Sequence, residues 1–132
     1  MEVFTKDGEK ISVSGLDTDQ PIALSTIYRL IAPDMYNVFL YHYPGINEES
    51  RTVLFDLILS GHIHGGQVAL PLYGAVVTMS PYGKKYESGA YHLAGNRILY
   101  VSRGIGMEGG PIPRIRLFAR PELTCIELTG SV

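Results

Sequence analysis

The chain has 132 residues, 45% of them hydrophobic and 18% charged, which is one domain's worth of sequence with enough apolar content for its own core. A net charge of -2 supplies no basic surface for nucleic acid or an anionic membrane, so no nucleic-acid partner is expected. The single cysteine, Cys125, rules out an internal disulfide, and no run of about 18 apolar residues is present to cross a bilayer. No stretch reads as a signal peptide.

Val3-Phe4 and Ile11 to Ser14 flank the turn signal Asp7-Gly8 and read as a hairpin. Asp17 to Pro21 reads as a helix start, after which Ala23, Ile27, Leu30 and Ile31 share one helical face until Pro33. Asn37 to Tyr41 is a short apolar run between turn residues, hence a buried strand. Asn47 reads as the N-cap of a short helix reaching about Phe55, with Glu48 and Glu49 in its first turn. Asp56 to Ser60 is a second buried strand, and strands that follow helices indicate an α/β layer.

Beyond Gln67 the pattern changes to short strands at Val68–Leu70, Ala75–Thr78, Gly89–Leu93, Arg97–Ser102, Arg116–Phe118 and Leu123–Leu128, with a hairpin turn at Gly95-Asn96. The sheet is expected to begin α/β-like and end as a β meander. Cys125 falls in the last alternating run and reads as a small strand residue, not a nucleophile.

Three of the four histidines lie just past the two buried strands: His42 after the first, His62 and His64 after the second. Ligands of open α/β sheets bind beyond the carboxyl ends of the strands, so neighbouring strands would bring these histidines into one crevice. Neutral imidazole is a common metal ligand, and Gly61, Gly65 and Gly66 give the backbone around the H-x-H pair the freedom to hold the rings without crowding. On these residues alone the pair serves one metal, serves two, or caps a glycine-rich turn.

His92 alternates with Tyr91 and Leu93 in a strand pattern and reads as structural or exposed. Arg103, at a strand end before a glycine-rich turn, is a candidate phosphate contact, since guanidinium binds phosphate oxygens bidentately; a surface ion pair is the alternative. Gly104 to Gly110 lacks the Lys-Ser/Thr ending of a P-loop. Tyr82, Lys84, Lys85 and Tyr86 form a basic-aromatic turn that reads as solvated.

The stretch from Phe55 to Gln67, with Gly61-His62-Ile63-His64 followed by Gly65-Gly66-Gln67, resembles the last metal motif of calcineurin-like metallophosphoesterases. Tyr41-His42-Tyr43-Pro44 resembles the motif before it. Gly89-Ala90-Tyr91, Leu99 to Gly106 and Arg120-Pro121-Glu122-Leu123 resemble the tail of the subgroup in which G-G-Q follows. The likeness runs from about Ile11 to the end. It implies an α/β fold belonging to a four-layer α/β/β/α sandwich, with residues 1–132 as one domain, the C-terminal half of that fold. It also implies two divalent metal ions (Mn, Fe, Zn or Mg), with His42 and His62 on one and His64 on the other. The ions activate a water for attack on phosphorus.

Ile63 stands where the subgroup usually has Thr or Ser. The family's D-x-H, G-D-x-x-D and G-N-H-[ED] motifs have no counterpart before His42, so the carboxylate that bridges the two ions is missing and no catalytic residue is assigned. The chain is therefore expected to hold at most one partial metal site and to hydrolyse phosphoesters poorly or not at all alone. Its substrate would be a small-molecule or lipid phosphoester. Any membrane association would come through the other half of the fold; a cytoplasmic protein is the alternative. A sheet edge left open is expected to make the chain a homo-oligomer. Two readings follow: an incomplete piece of a hydrolase, or an inactive truncated module that pairs with itself or another chain.

Overall fold

A computed structural model describes residues 1–6, 8–18, 23–49, 54–109 and 114–130. The described residues form eight strands: β1 (Glu2–Lys6), β2 (Glu9–Gly15), β3 (Tyr36–Leu40), β4 (Leu57–Ser60), β5 (Ala69–Leu70), β6 (Gly74–Ala75), β7 (Gly89–His92) and β8 (Ile98–Val101). Six form one mixed sheet in the order β1-β2-β3-β4-β8-β7, and β5 and β6 make a separate ribbon. The inner strands β2, β3, β4 and β8 are parallel, and an antiparallel hairpin closes each edge. This is the expected α/β layer.

Register separates the two faces of the sheet. Phe39 pairs with Ile58, Ile58 with Leu99, and Ser60 with Val101, so these residues share one face. That face is covered by Ile27 from helix α1 (Leu24–Arg29), Ile46 from the 3-10 turn Pro44–Glu49, and Phe55, Ile63 and Tyr86, which together form the core. Phe39 and Phe55 stack at 4.3 Å between ring centroids. The opposite face carries Phe4, Ile11, Val13, Tyr36, Val38, Leu40 and Leu57 in register, and there Phe4, Tyr36 and Leu40 are exposed.

Asn37 joins α1 to the sheet. Its side-chain oxygen accepts from Ser12 Oγ (2.7 Å) and the Ala32 amide (2.9 Å), while Nδ2 donates to the Ala32 and Met35 carbonyls. A buried amide with every site engaged costs little, and it fixes where the chain leaves the helix.

Several elements differ from the sequence expectation. The segment after Pro44 is a 3-10 turn, and Asn47 lies inside it instead of capping a helix; its Nδ2 donates to Tyr86 Oη at 3.2 Å. Residues 50–53, where the expected helix would continue, lie outside the described residues, as do Asp7 of the first turn and 19–22 of the expected helix start. Helix α1 begins at Leu24 with no side-chain cap. Leu123–Leu128 contains no strand, and Cys125 is exposed. Alternation alone cannot make a strand there, because no described strand lies beside the segment to accept its ladder. Ala75–Thr78 shortens to the end of β6, and Arg116–Phe118 contributes only bridges to Val68.

Candidate metal centre

β3 and β4 are adjacent and parallel, so their carboxyl ends open side by side, and His42 and His62 emerge there. The Gly61 amide donates to the His42 carbonyl at 3.1 Å, which ties the two loops together. The two imidazole centroids are 5.1 Å apart at 66°. Two imidazoles sharing one ion at about 2.1 Å from each nitrogen have centroids roughly 5 Å apart, so the pair fits a common cation. Tyr43 packs edge-on against both rings, at 5.0 Å from His42 and 4.5 Å from His62.

The backbone holds these rings in place. His62 and His64 both adopt positive φ, 70° and 52°, an uncommon conformation for a side-chain-bearing residue and one that recurs at functional sites. Gly66 has φ 75°, and a Cβ there would fall 2.3 Å from Ala75 Cβ and 2.8 Å from the Val77 carbonyl oxygen. Glycine at this point lets the turn after His64 pack directly on β6.

His62 Nε2 lies 3.2 Å from the Met79 carbonyl. In the tautomer that donates to that carbonyl, Nδ1 carries the lone pair; a histidine whose second nitrogen is tied to a carbonyl is the usual metal-ligand arrangement. His64 Nδ1 lies 3.2 Å from the Arg103 carbonyl, and its Nε2 faces Glu108 at 3.6 Å. Desolvation, reinforced by His62 and His64 and opposed by Glu108, lowers the His42 pKa. The shift favours the neutral, ligating ring.

Among the described residues no three His, Cys, Asp or Glu side chains converge on a single point. His42 and His62 face each other and His64 turns towards Glu108, giving two two-donor arrangements. Glu108 was not read from the sequence as a site residue. It lies in a glycine-rich run whose path alone brings it to His64, and no local pattern announces it.

Arg103 is placed by Glu122: its Nε donates to the carboxylate at 2.7 Å, and its side chain lines a cleft of about 590 Å³ together with Gly65, Tyr73 and Phe118. Arg116 was read only as part of a strand, yet it does more. Its guanidinium donates to the carbonyls of Arg103 (2.8 Å), Gly104 (3.1 Å), Gly106 and Ala119 (3.1 Å), stapling the turn after β8 beside His64. His92 is exposed on β7, and the basic residues of the 82–86 turn are engaged, Lys85 with Glu48 and Lys84 with Glu87 and the Tyr73 ring.

No family model matches the chain. No solved structure matches it either. Relatives of known name do. The metallophosphoesterase YkuE of Bacillus subtilis, itself called uncharacterized, is 38% identical over 128 residues, covering 95% of this chain and 43% of the relative. Phosphodiesterase YaeI of Escherichia coli is 38% identical over 89 residues, covering 67% of this chain and 31% of the relative. UDP-2,3-diacylglucosamine pyrophosphatase LpxG of Chlamydia muridarum is 32% identical over 100 residues, covering 71% and 29%. The chain thus spans less than half the length of these relatives. With named metallophosphoesterases aligned to most of its length, and with paired histidines at adjacent strand ends, the chain belongs to the calcineurin-like metallophosphoesterase family, of which it matches the C-terminal portion.

Proposed function

We propose that this chain is the C-terminal part of a metal-dependent phosphoester hydrolase with a dinuclear centre, and that on its own it holds an incomplete site. The observation that carries the reading is the His42–His62 pair, 5.1 Å between ring centroids, at the ends of adjacent parallel strands. His42 and His62 would hold one ion, and His64, with Glu108 beside it, would contribute to a second. The ions would be Mn, Fe, Zn or Mg and would supply charge neutralisation at phosphorus and an acidified water. Hydrolysis joins the water oxygen to phosphorus as the P–O bond to the alcohol breaks, and the alcohol leaves with a proton. Arg103 would bind a phosphate oxygen through the guanidinium nitrogens not engaged by Glu122. The substrate is a small-molecule or lipid phosphoester.

The rest of the site would belong to the four-layer sandwich, whose second sheet would cover the face that leaves Phe4, Tyr36 and Leu40 exposed. The same open face favours a second reading, a self-associating module without catalysis. Hydrolysis of bis-p-nitrophenyl phosphate with Mn²⁺, run beside Mn²⁺ titration calorimetry on the chain and on His62→Ala, tests the proposal. Weak Mn²⁺ binding lost in His62→Ala, with little or no turnover, is expected. Robust turnover dependent on His62 would overturn the incompleteness, and Mn²⁺ binding indifferent to His62 would overturn the metal assignment.

A further inference from the structure

Beside His62 the surface opens into a second cavity, of about 250 Å³, whose walls include Tyr41, Tyr43, Ile46, Met79 and Tyr82. His62 forms one wall and, among the described residues that line it, is the only one whose side chain can be cationic. Lys84 and Lys85 follow closely in sequence, but their ammonium groups pair with Glu87 and Glu48, and neither side chain lines this hollow. The pocket is therefore apolar and aromatic, and one wall is a candidate metal ligand.

Its shape is fixed locally. The Tyr82 ring packs against Gly45, so close that a Cβ there would fall 2.3 Å from the ring's Cε2. The His62–Met79 hydrogen bond, 3.2 Å, holds the opposite wall against the imidazole. Tyr43, Met79 and Tyr82 are all substantially exposed, so apolar surface gathers at one point that the described residues leave open. Benzene fills an apolar cavity of roughly 150 Å³, so this one accepts a single aromatic ring with its linking atom.

We infer that this cavity is a subsite for the organic group of the substrate and takes an aryl group esterified to phosphate, seated between Tyr43 and Tyr82 while the phosphate lies at His42 and His62. The inference rests on the phosphoester-hydrolase reading for its phosphate end only; the ring end stands on the cavity. Offset and edge-on packing against three tyrosines favours a flat ring over a polar sugar, and the absence of a charged lining residue other than His62 disfavours a second phosphate or a carboxylate inside the pocket.

Titration of the isotope-labelled chain with p-cresol, phenyl phosphate and inorganic phosphate, each with and without diamagnetic Zn²⁺, tests it through backbone amide shifts. p-Cresol and phenyl phosphate should move the Gly45, Ile46, Ser80 and Tyr82 amides, and inorganic phosphate should not. Tyr82→Ala should weaken p-cresol binding about tenfold, Gly45→Ala should do the same by displacing the ring, and Tyr82→Phe should preserve it. Pocket amides that stay still with both aryl ligands, or aryl binding unchanged in Tyr82→Ala and Gly45→Ala, would overturn the subsite. If p-cresol binds there while Zn²⁺ strengthens neither phosphate ligand, the pocket stands and the metal reading falls; the reverse pattern removes the pocket and leaves the metal.

Discussion

Glu122 gathers more partners than any other carboxylate described. Tyr100 Oη and Thr124 Oγ1 (2.7 Å) reach one of its oxygens and Arg103 Nε (2.7 Å) the other, and its own amide donates to the Gly104 carbonyl at 2.9 Å. Burial alone would raise its pKa, but these hydrogen bonds and the Arg103 charge outweigh it and hold the carboxyl at about 2. An unfolded glutamate titrates near 4.3, so the folded state binds its proton less readily than the unfolded state does. The stabilisation is therefore complete above about pH 4.3 and is lost as pH falls towards 2; it is on the order of 3 kcal/mol. Glu122→Gln should be less stable by about that amount at pH 7, and thermal melts of the two proteins should converge as pH is lowered from about 4.3 to 2. A gap constant across that range would mean that the charge of Glu122 contributes nothing. Arg116→Ala should cost roughly 2 kcal/mol, since it orphans several carbonyls at once, and should speed amide exchange at Gly104 and Gly106 in particular. Exchange that rises evenly over the whole chain would remove its stapling role.

The turn after β4 shows how far an element's shape depends on one residue. Gly66 combines positive φ with Ala75 and the Val77 carbonyl where a Cβ would go, while Gly83, φ 57°, has open space there. Gly66→Ala should therefore destabilise the chain by about 3 kcal/mol or more and Gly83→Ala by about 1 kcal/mol, as read by chemical denaturation. Equal costs would mean that φ alone, and not contact with β6, sets the demand for glycine. The same contrast explains which elements were legible. β3 and β4 were read almost to the residue, because an interior strand with neighbours on both sides shows as a short apolar run between turn residues, and the run is local information. Gly95-Asn96 marked its hairpin because turn chemistry is also local. Leu123–Leu128 carried an equally good alternation but has no partner strand, and pairing is not written in the segment that pairs. His42 and His62 could be placed together once their strands were taken as neighbours. Glu108, Arg116 and the pocket under Tyr82 depend on loop paths across 40 or more residues, which no spacing encodes.

At the scale of the molecule the sheet is lopsided. One face is sealed by α1 and the 3-10 turns, while the other presents Phe4 on β1 and Tyr36 and Leu40 on β3 at 59%, 37% and 43% exposure. Burying such side chains is worth roughly 25 cal/mol per Å², so the chain gains from covering this face with whatever complementary surface is at hand. A second copy offers the same face, and a two-fold axis would make the contact self-complementary. Pairing through the outer edge of β1 is the competing geometry, since its ladder is open on one side, although Glu2 and Lys6 discourage it. Sedimentation velocity over a concentration series should show a monomer–dimer equilibrium. Leu40→Lys separates the two geometries because Leu40 sits on β3, two strands in from the β1 edge: loss of the dimer assigns the face, and an unchanged dimer assigns the edge. A monomer at every concentration would count against both, and would leave the open face to be covered by other parts of the family's fold.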